Sequence, residues 1–143
     1  MALLGNSKLT KMIYGIGVDI VSIVRIENVI KRWDDRFISR VFTPDETEIC
    51  YGRASYSSAF ALRFAAKEAF SKALGFGIKE GLKWREIEVF NYQSGKPGLK
   101  LHGTSLEICR EKDIDGIHLS LSDEVEYGIA MVVLEKRDMV ERG

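Results

Sequence analysis

AFALRFAAKEAFSKALG, residues Ala59 to Gly75, decides the reading of this chain. A helix is expected from about Ser57 to Leu74, with Gly75 as its C-cap. At about 100° per residue, Glu68 and Lys72 fall on one stripe, and Arg63 and Lys67 on a second. Phe60 and Phe64 lie between the stripes, while Leu62, Ala66, Ala69 and Ala73 fill the opposite face. The small-residue face suits close packing against another element. The charged faces offer one carboxylate and three cations. On spacing alone, Glu68 and Lys72 read as a helix-surface ion pair worth about 0.3–0.5 kcal/mol.

Upstream, IYGIGVDIVSIV (Ile13 to Val24) reads as a buried strand with Asp19 near its end. An ionised carboxylate in an Ile/Val-rich strand is costly unless paired, with Lys72 or a metal as candidate partners. At the strand's solvent end it needs neither. A helix follows from Arg25 to Trp33, then a short helical piece around Phe37 to Phe42. Thr43-Pro44-Asp45-Glu46 is a helix start, with Thr43 as N-cap and Glu46 closing a capping box.

Downstream, Ile87 to Phe90 and a return through Leu99 and Leu101 make a hairpin over the turn Ser94 to Pro97. A helix is expected from Thr104 to Lys112. The strands Ile117 to Leu121 and Gly128 to Leu134 follow, joined by the acidic turn Ser122-Asp123-Glu124. Helices cluster rather than alternate with strands, so the fold class is α+β, with mostly antiparallel sheet and one long central helix.

The 143 residues suit one domain. Residues 1–11 read as an N-terminal extension, a disordered lead or a start-site extension; 12–136 form the domain, and 137–143 are a charged tail that frays. Lys plus Arg equals Asp plus Glu, 21 each, which disfavours nucleic-acid binding by bulk charge. No apolar run approaches the ~18 residues of a membrane span. The two cysteines, Cys50 and Cys109, have no framework spacing and read as buried thiols in a reducing compartment. A cytoplasmic protein is expected.

If Asp19 and Glu68 face one another, they make an incomplete site for a hard cation. Magnesium favours such sites and completes its shell with water and substrate phosphates. Cations nearby suit phosphate groups, so the chemistry points to phosphoryl transfer on a nucleotide-like substrate.

IYGIGVDIV (Ile13 to Val21), Arg25, FALRFAAKEAFSKALGFGI (Phe60 to Ile78), GLKWREIEVF (Gly81 to Phe90), GKP (Gly95 to Pro97) and HLSLSDE (His118 to Glu124) resemble the holo-acyl-carrier-protein synthase family. These are short, single-domain 4′-phosphopantetheinyl transferases. The resemblance runs from about Met12 to Lys136. It implies a homotrimer with active sites between subunits. It also implies transfer of the phosphopantetheine arm of coenzyme A to a serine of an acyl carrier protein, releasing adenosine 3′,5′-bisphosphate. By that resemblance, Asp19 and Glu68 would ligate magnesium, Glu68 would help deprotonate the serine, and Lys72 would neutralise the pyrophosphate. Arg63, Lys67 and His118 would touch the nucleotide, Gly75 would admit the pyrophosphate, and Arg25 would meet the acidic carrier. Two other functions use the same residues: a metal-dependent nucleotide or pyrophosphate hydrolase, and a non-catalytic carrier-binding module.

Overall fold

The computed structural model describes residues 7–77 and 81–141. Residues 1–6, Ile78 and the last two residues of the expected tail therefore lie outside the described residues. The elements run β1 (Ser7–Ser22), α1 (Ile23–Trp33), α2 (Asp35–Val41), α3 (Pro44–Tyr51), α4 (Tyr56–Leu74), β2 (Ile87–Asn91), β3 (Pro97–Leu101), α5 (Gly103–Glu111), β4 (Ile114–Asp123) and β5 (Tyr127–Glu141). A three-stranded antiparallel sheet has the order β1-β5-β4, and β2 and β3 form a separate hairpin. The class is α+β, as expected.

α4 is the organising element. Ser55 caps its start, and Gly75 at φ 87° ends it in the left-handed conformation. Its alanines Ala65, Ala66, Ala69 and Ala73, with Phe70 and Leu74, pack on Ala130, Val132 and Leu134 of β5. A second cluster joins Phe60 and Ala61 of α4 to Ile23, Ile26, Ile30, Ile38, Val41 and Phe42.

β1 corrects the sequence reading. It is an edge strand, and apart from Tyr14 and Val21, which pack against the core, its large apolar side chains face away from it. Ile16, Val18 and Ile20 are 60%, 55% and 62% exposed. The residues turned to α4 are Gly15, Gly17 and Asp19, whose register partners on β5 are the buried Leu134, Val132 and Ala130. A bulge between Ile13 and Gly15 resets the alternation, so Ile13 and Ile16 share the outer face while Gly15 turns inward. The glycines are there because helix and strand touch backbone to backbone. A Cβ on Gly15 would overlap the Ala73 carbonyl oxygen, and one on Gly17 the Ala69 carbonyl oxygen.

Three other boundaries differ. α1 begins at Ile23, because Ser22 accepts from the Arg25 amide as N-cap. Ser122 and Asp123 pair with Ile129 and Gly128, so the β4–β5 turn falls at residues 124–126. The domain limits expected at Met12 and Lys136 fall inside paired strands, since Ser7 to Lys11 run in register with Glu141 to Arg137.

The capping box at Thr43 is present, with Thr43 N donating to Glu46 Oε1 at 2.9 Å. The Thr43 hydroxyl also donates to Glu88 Oε2 at 2.6 Å, and Glu88 Oε1 lies 2.9 Å from His102 Nε2. Burial acts to raise the Glu88 carboxyl. The hydrogen bonds with Thr43 and His102, and the charges of His102 and Lys100, outweigh it and hold Glu88 below its ordinary range. A lowered folded-state pKa contributes stability that is complete above the unfolded value and is lost as pH falls through the folded one. Glu88→Gln is therefore expected to flatten the acid limb of thermal midpoint against pH. An unchanged acid limb would show that other carboxylates carry it.

Candidate functional site

The close crossing of α4 over β1 positions the site. Because Ala69 and Ala73 lie directly on Gly17 and Gly15, the neighbouring α4 residues Glu68 and Lys72 come to the C-terminal half of β1. Lys72 Nζ donates to Asp19 Oδ1 at 3.0 Å and to the Val18 carbonyl at 3.1 Å. Asp19 is only 16% exposed at its side chain, whereas Lys72 keeps 54% and opens to solvent. Burial, and after it the negative charge of Asp19, push the Glu68 carboxyl above its ordinary range against the pull of Lys72. So the three residues do form one cluster: two carboxylates repelling each other, with one cation.

That cluster fits a hard divalent cation. It offers oxygen donors only, from two carboxylates, and a cation between them would relieve the repulsion that raises Glu68. Among the described residues no group of three or more His, Cys, Asp or Glu could enclose a metal. The remaining ligands would have to come from water and substrate, as magnesium prefers.

The other expected residues divide. Lys67 is corrected: it is wholly buried, and its Nζ bonds to Glu46 Oε1, the Trp84 carbonyl and the Ile87 carbonyl. An ammonium has three donors, so none remains for a nucleotide. Arg63 is also buried. Its Nη1 donates to the Ala59 carbonyl and its Nη2 to Asn91 Oδ1 at 3.2 Å. Its Nε is the one buried side-chain polar atom among the described residues without a partner. Asn91 Nδ2 in turn donates to the Gly95 carbonyl, so Arg63 braces the β2–β3 turn.

His118 stands elsewhere. It pairs in register with Val133, one position from the buried Leu119, so it lies on the outer face of the sheet, opposite to Asp19. Its Nε2 is 2.8 Å from Glu135 Oε1. It lines a cavity of about 410 Å³ with Tyr92, Lys96, Pro97, Gly98, Ile117 and Leu119. Lys96 and Tyr92 were not among the expected site residues, although Lys96 sits in the GKP turn. Arg25 is exposed on α1. Near it, Val29 and Trp33 of α1 with Arg36, Phe37 and Arg40 line a surface cavity of about 450 Å³. Beyond Gly75, the side where a Cβ would project is open.

A sequence model of the 4′-phosphopantetheinyl transferase superfamily matches residues 15–130. The holo-[acyl-carrier-protein] synthase of Geobacter sulfurreducens is 46% identical over 125 residues, 87% of this chain and 99% of the relative. The crystal structure of holo-[acyl-carrier-protein] synthase from Neisseria meningitidis superposes with a TM-score of 0.82 at 39% identity, covering 87% of this chain and all of that one. The Helicobacter pylori enzyme in complex with coenzyme A gives a TM-score of 0.74 at 37% identity, covering 83% and 98%.

Proposed function

This chain belongs to the 4′-phosphopantetheinyl transferase superfamily, and from that premise we propose that it transfers 4′-phosphopantetheine from coenzyme A to a serine of an apo acyl carrier protein. The observation that carries this reading is the cluster of Asp19, Glu68 and Lys72 at the crossing of α4 and β1. Asp19 and Glu68 would hold magnesium, which when bound supplies charge stabilisation to the pyrophosphate. Glu68 accepts the proton of the serine hydroxyl, a role suited to a carboxyl pushed above its ordinary range. The serine oxygen bonds to the phosphorus on the pantetheine side, and the bond to the second phosphate breaks. The electron pair leaves with adenosine 3′,5′-bisphosphate, whose charge Lys72 offsets from its exposed position. Gly75 gives the pyrophosphate an open backbone approach.

The nucleotide end belongs to the cavity of His118, Lys96 and Tyr92, whose hairpin Arg63 braces through Asn91. His118 and Asp19 lie on opposite faces of one sheet. One molecule of coenzyme A touching both would bridge two copies of the chain. The exposed row Ile16, Val18 and Ile20, continued by Ile129 and Met131, supports the same arrangement. An apolar face of that extent marks an interaction surface. The homotrimer with active sites between subunits that the family resemblance implies is the assembly proposed here. Arg25 and the cations of α1 and α2 steer the acidic carrier to it.

One incubation tests the reading. The protein, coenzyme A, magnesium and an apo carrier are combined, and the carrier is weighed by mass spectrometry. A gain of one phosphopantetheine is expected. Nucleotide release without carrier modification would make the protein a hydrolase, and carrier binding without turnover a binding module. Sedimentation of the active species is expected to give a trimer; an active monomer would overturn the shared site.

A further inference from the structure

Lys67 precedes Glu68 in the chain, yet both it and its partner Glu46 are 0% exposed at their side chains. The Lys67 ammonium donates at 2.8 Å to Glu46 Oε1, at 3.0 Å to the Trp84 carbonyl and at 2.6 Å to the Ile87 carbonyl. Glu46 also accepts from the amides of Thr43 and Val89, each at 2.9 Å. One buried knot thus ties together the start of α3, the turn before β2, β2 itself and α4.

The attraction between the two charges does not by itself account for this knot. Taking two charges out of water costs several kcal/mol per ion, and apolar replacements of such pairs are often neutral or better. What the knot supplies is direction. On its other side α4 rests on Gly15 and Gly17 through Ala69 and Ala73. Those contacts are close, and on that side Lys72 holds β1 through the Val18 carbonyl and Asp19 Oδ1, at 3.1 and 3.0 Å. The carboxylate of a helix residue sits about 5 Å from the axis, so a roll of ~15° moves it by more than about 1 Å. Glu68 lies one residue beyond Lys67, about 100° further round the helix. The bonds of Lys67 on one side of the helix and of Lys72 on the other therefore fix together where Glu68 points.

We propose that Glu46 and Lys67 are positioning residues that set the roll of α4 so that Glu68 meets Asp19 in the geometry a divalent cation requires. This rests on the metal reading given above. The test is the charge-free double variant Glu46→Gln/Lys67→Met, with Mn²⁺ as the probe, its free ion followed by electron paramagnetic resonance without substrate. The double variant is expected to unfold at a lower temperature, because the Trp84 and Ile87 carbonyls lose their donor, and in its folded state to bind Mn²⁺ about tenfold more weakly. Its kcat for carrier modification should fall by about tenfold or more with the carrier KM unchanged. A role confined to stability would move the midpoint and leave Mn²⁺ affinity alone. Equal Mn²⁺ affinity and kcat in a folded double variant would overturn the proposal. If that variant does not fold, Glu46→Asp keeps the charge and shortens the tether, and the same two readouts decide. Absence of Mn²⁺ binding by the unaltered protein would remove the metal reading itself, and the positioning role with it.

Discussion

Glu68→Gln is expected to lower kcat for carrier modification by roughly 10²–10⁴-fold, the range that a positioned general base contributes, while leaving the protein folded. The two halves of that expectation have separate grounds. Gln has the shape of Glu but neither accepts the serine proton nor offers a charged ligand to magnesium. For stability, burial and the charge of Asp19 both disfavour the ionised Glu68 in the folded state. A folded pKa raised above the unfolded value means stability that is present at low pH and lost as pH rises through the folded value. Removing the charge is therefore expected to leave the thermal midpoint at neutral pH unchanged or higher. A catalytic loss with a retained midpoint separates a site residue from a packing residue. Asp19→Asn should lose activity too, but it also weakens the 3.0 Å contact to Lys72, so it is the less clean variant. Full kcat in both across magnesium concentrations would remove the site.

Much of this arrangement was legible before the fold was known. The long helix, its Gly75 cap and the capping box at Thr43 are local features, written within a few residues of where they act. The cluster of Asp19 with Lys72 was legible only as an alternative, because 53 residues separate the two. Two things were not legible at all. The burial of Lys67 was hidden because a charged residue on a helix reads as surface, and its partner Glu46 already had a full local explanation as the capping-box carboxylate. The inward face of β1 was hidden because alternation normally puts Ile and Val inside. Here the backbone of α4 occupies that space, so glycine is the inward residue and the apolar side chains are displaced to the outer face. The same displacement creates the exposed face that a second copy would cover. The feature that distorts the pattern is thus the one that brings Glu68 to Asp19.

That close approach makes Gly17 the position least able to accept a side chain. Gly17→Ala adds one methyl group. It would overlap the Ala69 carbonyl oxygen and lie 2.7 Å from the Ala73 amide nitrogen. These are backbone atoms within a helix, so no side-chain rotation relieves the clash. Overpacking into movable side chains typically costs about 1–3 kcal/mol. With helix backbone as the obstacle, Gly17→Ala is expected to cost at least the top of that range, about 3 kcal/mol, against the ~5–15 kcal/mol that holds an ordinary domain together. Gly17→Val adds two further methyl groups and is expected to leave no folded protein, read as loss of the cooperative thermal transition. The comparison variant is Gly75→Ala. There the space beyond the backbone is open and only the positive φ of 87° opposes a side chain, a strain of about 1–2 kcal/mol. Gly75→Ala should therefore unfold at a modestly lower temperature. If Gly17→Ala proved as mild as Gly75→Ala, α4 and β1 would not be in backbone contact, and the geometry that brings Glu68 to Asp19 would fall with it.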